Sequence, residues 1–115
     1  MIIDQTLLHP KETIIEGRKF LLSKLPATVA REVIIPFIEA TDDAGNRKEG
    51  DIPIEVSLRL LSYVCAESGK GKDAQWVRLQ SAGQVDSFAP DILVYIKLER
   101  EMYRYNTDFS ETAKS

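Results

Sequence analysis

Cysteine and histidine are nearly absent from this chain: Cys65 and His9 are the only ones in 115 residues. A lone cysteine excludes an intramolecular disulfide and suits a reducing compartment, so the cytoplasm is the expected location. One histidine and one cysteine far apart in sequence make no zinc ligand set. Nucleophile–base pairs are also missing. Cys65 lies in the apolar run Leu60-Leu61-Ser62-Tyr63-Val64-Cys65-Ala66 and reads as a small buried hydrophobe. The serines lack a nucleophile elbow. No apolar run approaches the roughly 20 residues of a membrane span. Met1-Ile2-Ile3-Asp4 lacks the basic-then-apolar pattern of a secretion signal. Positive charge is not in excess either: the net charge of −3 disfavours a dedicated phosphate-backbone binder.

Three local clusters fall short of a site. Asp42-Asp43-Ala44-Gly45-Asn46 lacks the ligand alternation of a calcium loop. Gly69-Lys70-Gly71-Lys72 lacks phosphate-loop spacing and follows a helical pattern in place of a strand. Glu99 and Glu101, two apart on a helix, point about 200° apart and cannot share a substrate; they read as part of a solvated face. The expectation is a protein that is not an enzyme, with no metal and no cofactor.

What the chain does contain is enough apolar sequence for one modest core, 43% hydrophobic against 29% charged. Residues 1–12, around Pro10, read as an N-terminal arm. Residues 13–16 and 18–24 read as two strands joined at Gly17, which supplies the positive φ of a tight turn. Pro26 opens a helix with Val29, Val33 and Phe37 on one stripe and Ala30, Ile34 and Ile38 beside it. Pro36 should kink that helix or end it near Ile35. Residues 41–51, rich in glycine and charge, form a flexible loop.

Pro53 opens a second helix, with Ile54, Leu58, Leu61 and Cys65 on one face, which Gly69 and Gly71 stop. Its broad apolar face marks it as central and heavily buried. Asp73 caps a third helix carrying Trp76, Val77 and Leu79 to about Ala82, with Gly83 at its end. Pro90 begins a long last helix to about Tyr105, with Asp91 suited to its N-terminus and Asn106 to its stop. Ile92, Ile96 and Tyr103 share one face of it, interrupted by Glu99. Residues 110–115 form a disordered tail. The fold class expected is α+β, mainly α: an N-terminal β-hairpin followed by four or so packed helices within a single domain, 13–109.

The last helix is apolar on more than one side. Tyr95, Met102, Tyr103 and Tyr105 stand among Lys97, Glu99, Arg100, Glu101 and Arg104. Aromatics and methionine are enriched where proteins meet proteins, and apolar area rimmed by charge is what a holding protein needs. Those four residues are the expected partner contacts, with self-association as one outcome. A charge at Tyr103 should weaken partner binding and spare the fold.

The run Ile14-Ile15-Glu16-Gly17-Arg18-Lys19-Phe20, followed by Ser23-Lys24-Leu25-Pro26-Ala27 and a helix, resembles the tail assembly chaperones of long-tailed bacteriophages and prophages. The closing Tyr105-Asn106-Thr107-Asp108-Phe109 after an apolar helix is similar as well. The resemblance implies a non-enzymatic protein that binds the tape-measure protein and tail-tube subunits during tail morphogenesis. It also implies an oligomer in the host cytoplasm, absent from the mature virion. It brings no catalytic residues, nucleic acid or membrane. It further implies that the chain is the short form of a pair made by ribosomal frameshifting. The competing readings are another tail or head–tail connector structural protein, or a small regulatory binding protein. The latter is disfavoured because the helix at 27–38 carries one arginine and two glutamates in place of a basic recognition face.

Overall fold

Glu16-Gly17 sets the architecture. Both residues take positive φ, 50° and 76°, the backbone of a two-residue turn whose twist matches paired strands. The turn joins β1 (Leu8–Ile15) to β2 (Arg18–Lys24), antiparallel, with Ile15 opposite Arg18 and Thr13 opposite Phe20. The computed structural model describes residues 8–42, 46 and 52–108. Strand β1 takes in residues 8–12, which the sequence placed in an arm. The register shifts between Leu8 and Lys11, where His9 also has positive φ (46°). That bulge, next to Pro10, obscures the strand pattern in the sequence.

Period two divides β2 between two faces. Phe20 and Leu22 enter the main core, whereas Leu21 joins Cys65 and Trp76 in a smaller cluster on the other face. Beside β2 lies β3 (Cys65–Ser68), then β4 (Gln75–Arg78), both antiparallel, completing a sheet of order β1-β2-β3-β4. Two stretches expected to be helical are strand here. The second helix does not reach Cys65, and residues 75–78 are strand.

Between β3 and β4 the chain turns through a 3-10 segment, Gly71–Asp73. Gly69 has φ +87°, and a Cβ there would lie 2.8 Å from the Asp73 carbonyl oxygen. Only glycine fits both the conformation and the space. The glycines read as a helix stop are hairpin glycines. Cys65 is buried as expected, but in a strand.

Four helices complete an α+β fold: α1 (Ala27–Glu39), α2 (Ile54–Leu61), α3 (Ala82–Phe88) and α4 (Ile92–Thr107). Among the described residues helix is 51% and strand 26%, so helix still predominates, but strand takes a larger share than expected because two of the expected helical stretches give way to β3 and β4. Pro26 and Pro53 occupy the N-cap positions of α1 and α2. Helix α3 starts where a helix was expected to end. Ser81 Oγ accepts the Gln84 N–H at 3.2 Å, and Gln84 Oε1 accepts the Gln80 N–H at 2.8 Å, close to a capping box. Gly83 therefore lies inside α3. Asp91 caps α4 by accepting the Val94 N–H at 3.0 Å.

Pro36 does not end α1, which continues for another turn, with the Ala40 N–H donating to the Pro36 carbonyl at 3.0 Å. A mid-helix proline costs about 3 kcal/mol or more through the lost hydrogen bond and ring clash. Phe37 and Ala40, both buried just beyond it, offset that cost by anchoring the last turn in the core. Of α2, only Ser57, Leu60 and Leu61 are buried, and Ile54 is 58% exposed. The helix is a flank, not the buried centre.

One core collects Ile15, Phe20, Leu22, Val33, Phe37, Leu60, Val85, Leu98 and Met102, drawn from six elements. Asn106 closes it at one end. Its Oδ1 accepts the Leu25 N–H at 2.7 Å, and its Nδ2 donates to the Ser23 carbonyl at 3.1 Å and the Met102 carbonyl at 3.0 Å. The amide thus bonds the end of β2 as a neighbouring strand would. Tyr105 adds a second tie: its hydroxyl donates to the His9 carbonyl at 2.5 Å, and Lys24 Nζ lies 4.0 Å from its ring centroid and donates to its carbonyl. Most of loop 41–51 and all of tail 110–115 lie outside the described residues.

Candidate functional site

Beyond its exposed first turn, helix α4 is packed against described residues on two sides and open to them on a third. The core side holds Val94, Leu98 and Met102, at spacing four. Met102 is fully buried, so the contact expected of it with a partner is instead a contact with the protein's own core. Tyr103 is half-buried, its ring centroid 5.9 Å from that of Phe37. An aspartate there would remove the ring contact and put a charge beside the core, so a cost in stability is expected where the sequence reading expected the fold to be spared. Tyr95 and Tyr105 are half-buried against the same core. The four candidates line one helix and share that core, but they form no exposed patch.

The second side faces α2 and is polar. Glu99 is 1% exposed, not part of a solvated face. Ser57 Oγ donates to Glu99 Oε2 at 2.5 Å and lies 2.5 Å from the Tyr95 hydroxyl. Such groups stay buried only when their hydrogen bonds are made. Glu99 occupies a place in the expected apolar stripe with Ile92, Ile96 and Tyr103, and that position was itself a signal of burial. The stripe is in fact rotated: Ile92 is 70% exposed.

The third side is open. Lys97, Arg100, Glu101 and Arg104 face Thr13 to Glu16 of the first hairpin across a groove of about 360 Å³. Lys97 pairs with Glu16, and Arg104 pairs with Glu101 at 3.3 Å. Exposed pairs of this kind contribute little to stability, about 0–1 kcal/mol. Arg100 is exposed and has no ion pair among the described residues.

Large apolar side chains are exposed elsewhere. Ile35 and Ile38 on α1, Ile54 on α2, and Ile92 and Leu93 in the first turn of α4 all present aliphatic surface, with Leu8 and Ile14 doing so on β1. Charged neighbours flank them: Glu32 on α1 pairs with Arg59 on α2, and Glu55 and Asp91 adjoin the isoleucines of α2 and α4. Among the described residues, no three His, Cys, Asp or Glu side chains gather as a metal site, and no helix is long and apolar enough to cross a membrane.

No family model, curated protein or solved structure matches this chain.

Proposed function

We propose that this chain is a non-enzymatic assembly chaperone of a long-tailed phage or prophage. On this reading it binds the tape-measure protein and tail-tube subunits in the host cytoplasm and is left out of the finished particle. The exposed aliphatic surface of the helical layer carries the reading. Five large side chains, Ile35, Ile38, Ile54, Ile92 and Leu93, stand in solvent on three helices with charges beside them. Exposed aliphatic side chains with charges beside them suit a protein that holds an apolar client. The motif residues Ile14 to Phe20 and Leu25-Pro26-Ala27 form one continuous hairpin-to-helix unit, which supports comparing them as a unit. The working surface shifts from the tyrosines of α4 to these aliphatics, because the tyrosines are engaged in the protein's own packing.

Co-expression with a tape-measure segment tests the proposal. The wild-type chain should raise the soluble fraction of the segment and co-purify with it. The double variant Ile92→Glu, Leu93→Glu should lose both effects while melting as the parent does. A wild-type chain that neither solubilises nor retains the segment would count decisively against the reading.

A further inference from the structure

Among the described residues no strand pairs with the outer edge of β1, which is blunted along half its length and carries no such device along the other half. From Leu8 to Lys11 it carries a bulge, a positive-φ His9 and Pro10, devices that keep a sheet edge from pairing with another chain. From Glu12 to Ile15 none of these is present.

Register shows which groups the open half offers. Ile15 and Arg18 close the two-residue turn and are a hydrogen-bonded pair; pairs alternate, so Thr13 and Phe20 are another. Glu12 and Ile14 lie between them and direct their N–H and C=O groups away from β2. No described strand lies on that side of β1. The groove beneath α4 runs along this same stretch, and above it stands Arg100, a cation without an ion pair among the described residues.

We propose that this slot accepts an extended segment of a partner protein as a fifth strand, with an Asp or Glu side chain of the segment meeting Arg100. The added strand would take the free backbone groups of Glu12 and Ile14. Alternation then assigns its side chains. Those opposite Thr13 and Ile15 face α4, where the surplus positive charge selects a carboxylate. The one opposite Ile14, which is 69% exposed, lies on the other face, where an aliphatic side chain covers that isoleucine. The recognised segment therefore alternates acidic and aliphatic residues. Any protein carrying such a segment would fit, so the slot stands apart from the tail-assembly reading.

A fluorescein-labelled heptapeptide of alternating valine and glutamate is the probe, titrated into the full chain and followed by anisotropy. Saturable binding is expected, with slowed hydrogen exchange at the Glu12 and Ile14 amides on saturation. Arg100→Glu, an exposed change that leaves the melting temperature in place, should weaken binding about tenfold or more. The same peptide with lysine for glutamate, or N-methylated along its backbone, should not bind. Absence of saturable binding would overturn the proposal, as would equal binding of the lysine peptide or protection confined to other amides. If the Glu12 and Ile14 amides become protected without peptide as protein concentration rises, with dimer seen by sedimentation, the occupant is a second copy and the proposal is equally overturned.

Discussion

Replacing Asn106 by alanine tests whether one side chain holds the end of β2 to the end of α4. The amide serves three backbone groups: the Leu25 N–H at 2.7 Å, the Ser23 carbonyl at 3.1 Å and the Met102 carbonyl at 3.0 Å. The last is the smallest loss, because that carbonyl belongs to the helix that carries Asn106. The other two sit where β2 gives way to α1, in a half-buried junction. A net hydrogen bond is worth about 1 kcal/mol, and a buried donor left without a partner costs about 1–3 kcal/mol. Partial access of water at the junction places the total at roughly 2–3 kcal/mol. A domain of this length melts about 4 °C lower per kcal/mol lost, so the transition should fall by roughly 8–12 °C. Thermal melts followed by circular dichroism would read it, with urea titration checking that the slope is unchanged. Thr107→Ala is the control. Its hydroxyl donates only within α4, to Tyr103 at 2.8 Å and Arg104 at 3.4 Å, and its loss should cost under about 0.5 kcal/mol. Asn106→Asp keeps an acceptor for Leu25 but sets an oxygen against two carbonyls, so it should do no better than alanine. An Asn106→Ala melt within about 2 °C of the parent, or level with Thr107→Ala, would refute the clamp, since it implies less than about 0.5 kcal/mol.

Three further substitutions probe other parts of the fold. Ser57→Ala takes a donor from buried Glu99 and a partner from Tyr95; a loss of about 2–3 kcal/mol is expected in urea unfolding, whereas a loss under about 0.5 kcal/mol would mean the pair is satisfied without it. Gly69→Ala should cost about 2–4 kcal/mol through positive φ and the 2.8 Å approach to the Asp73 carbonyl, whereas Gly17→Ala, where nothing lies within 4 Å, should cost only the φ strain, about 1 kcal/mol.

The first hairpin, the starts of α1 and α2, and the extent of α4 were legible because their signals are local: a turn glycine, a proline at the head of an apolar period, a capping aspartate. Strands β3 and β4 were not. Cys65 and Ala66 continue the apolar period of α2, and nothing within that window distinguishes a helix running on from a strand about to pair with Leu21 and Phe20, some forty-five residues earlier. Their identity lies in a non-local ladder. Helix α3 is legible in principle, since Ser81-Ala82-Gly83-Gln84 carries a cap, but Gly83 in that window reads equally as a helix stop. The buried Glu99 and the Asn106 clamp were hidden for a shared reason. Each is a polar side chain whose partners, Ser57 and Ser23 to Leu25, lie far away in sequence.

The tie between Asn106 and the end of β2 also sets an order of events during synthesis. The inner face of the first hairpin, Phe20 and Leu22, is covered by α4, which lies some eighty residues further along the chain. At about 5–20 residues per second, the ribosome adds the intervening eighty-one positions in roughly 4–16 s. For that interval the hairpin has emerged without its lid, and its apolar face is available to any nascent neighbour. The bulge and Pro10 blunt half of the hairpin's outer edge during that same interval, against strand pairing with a nascent neighbour.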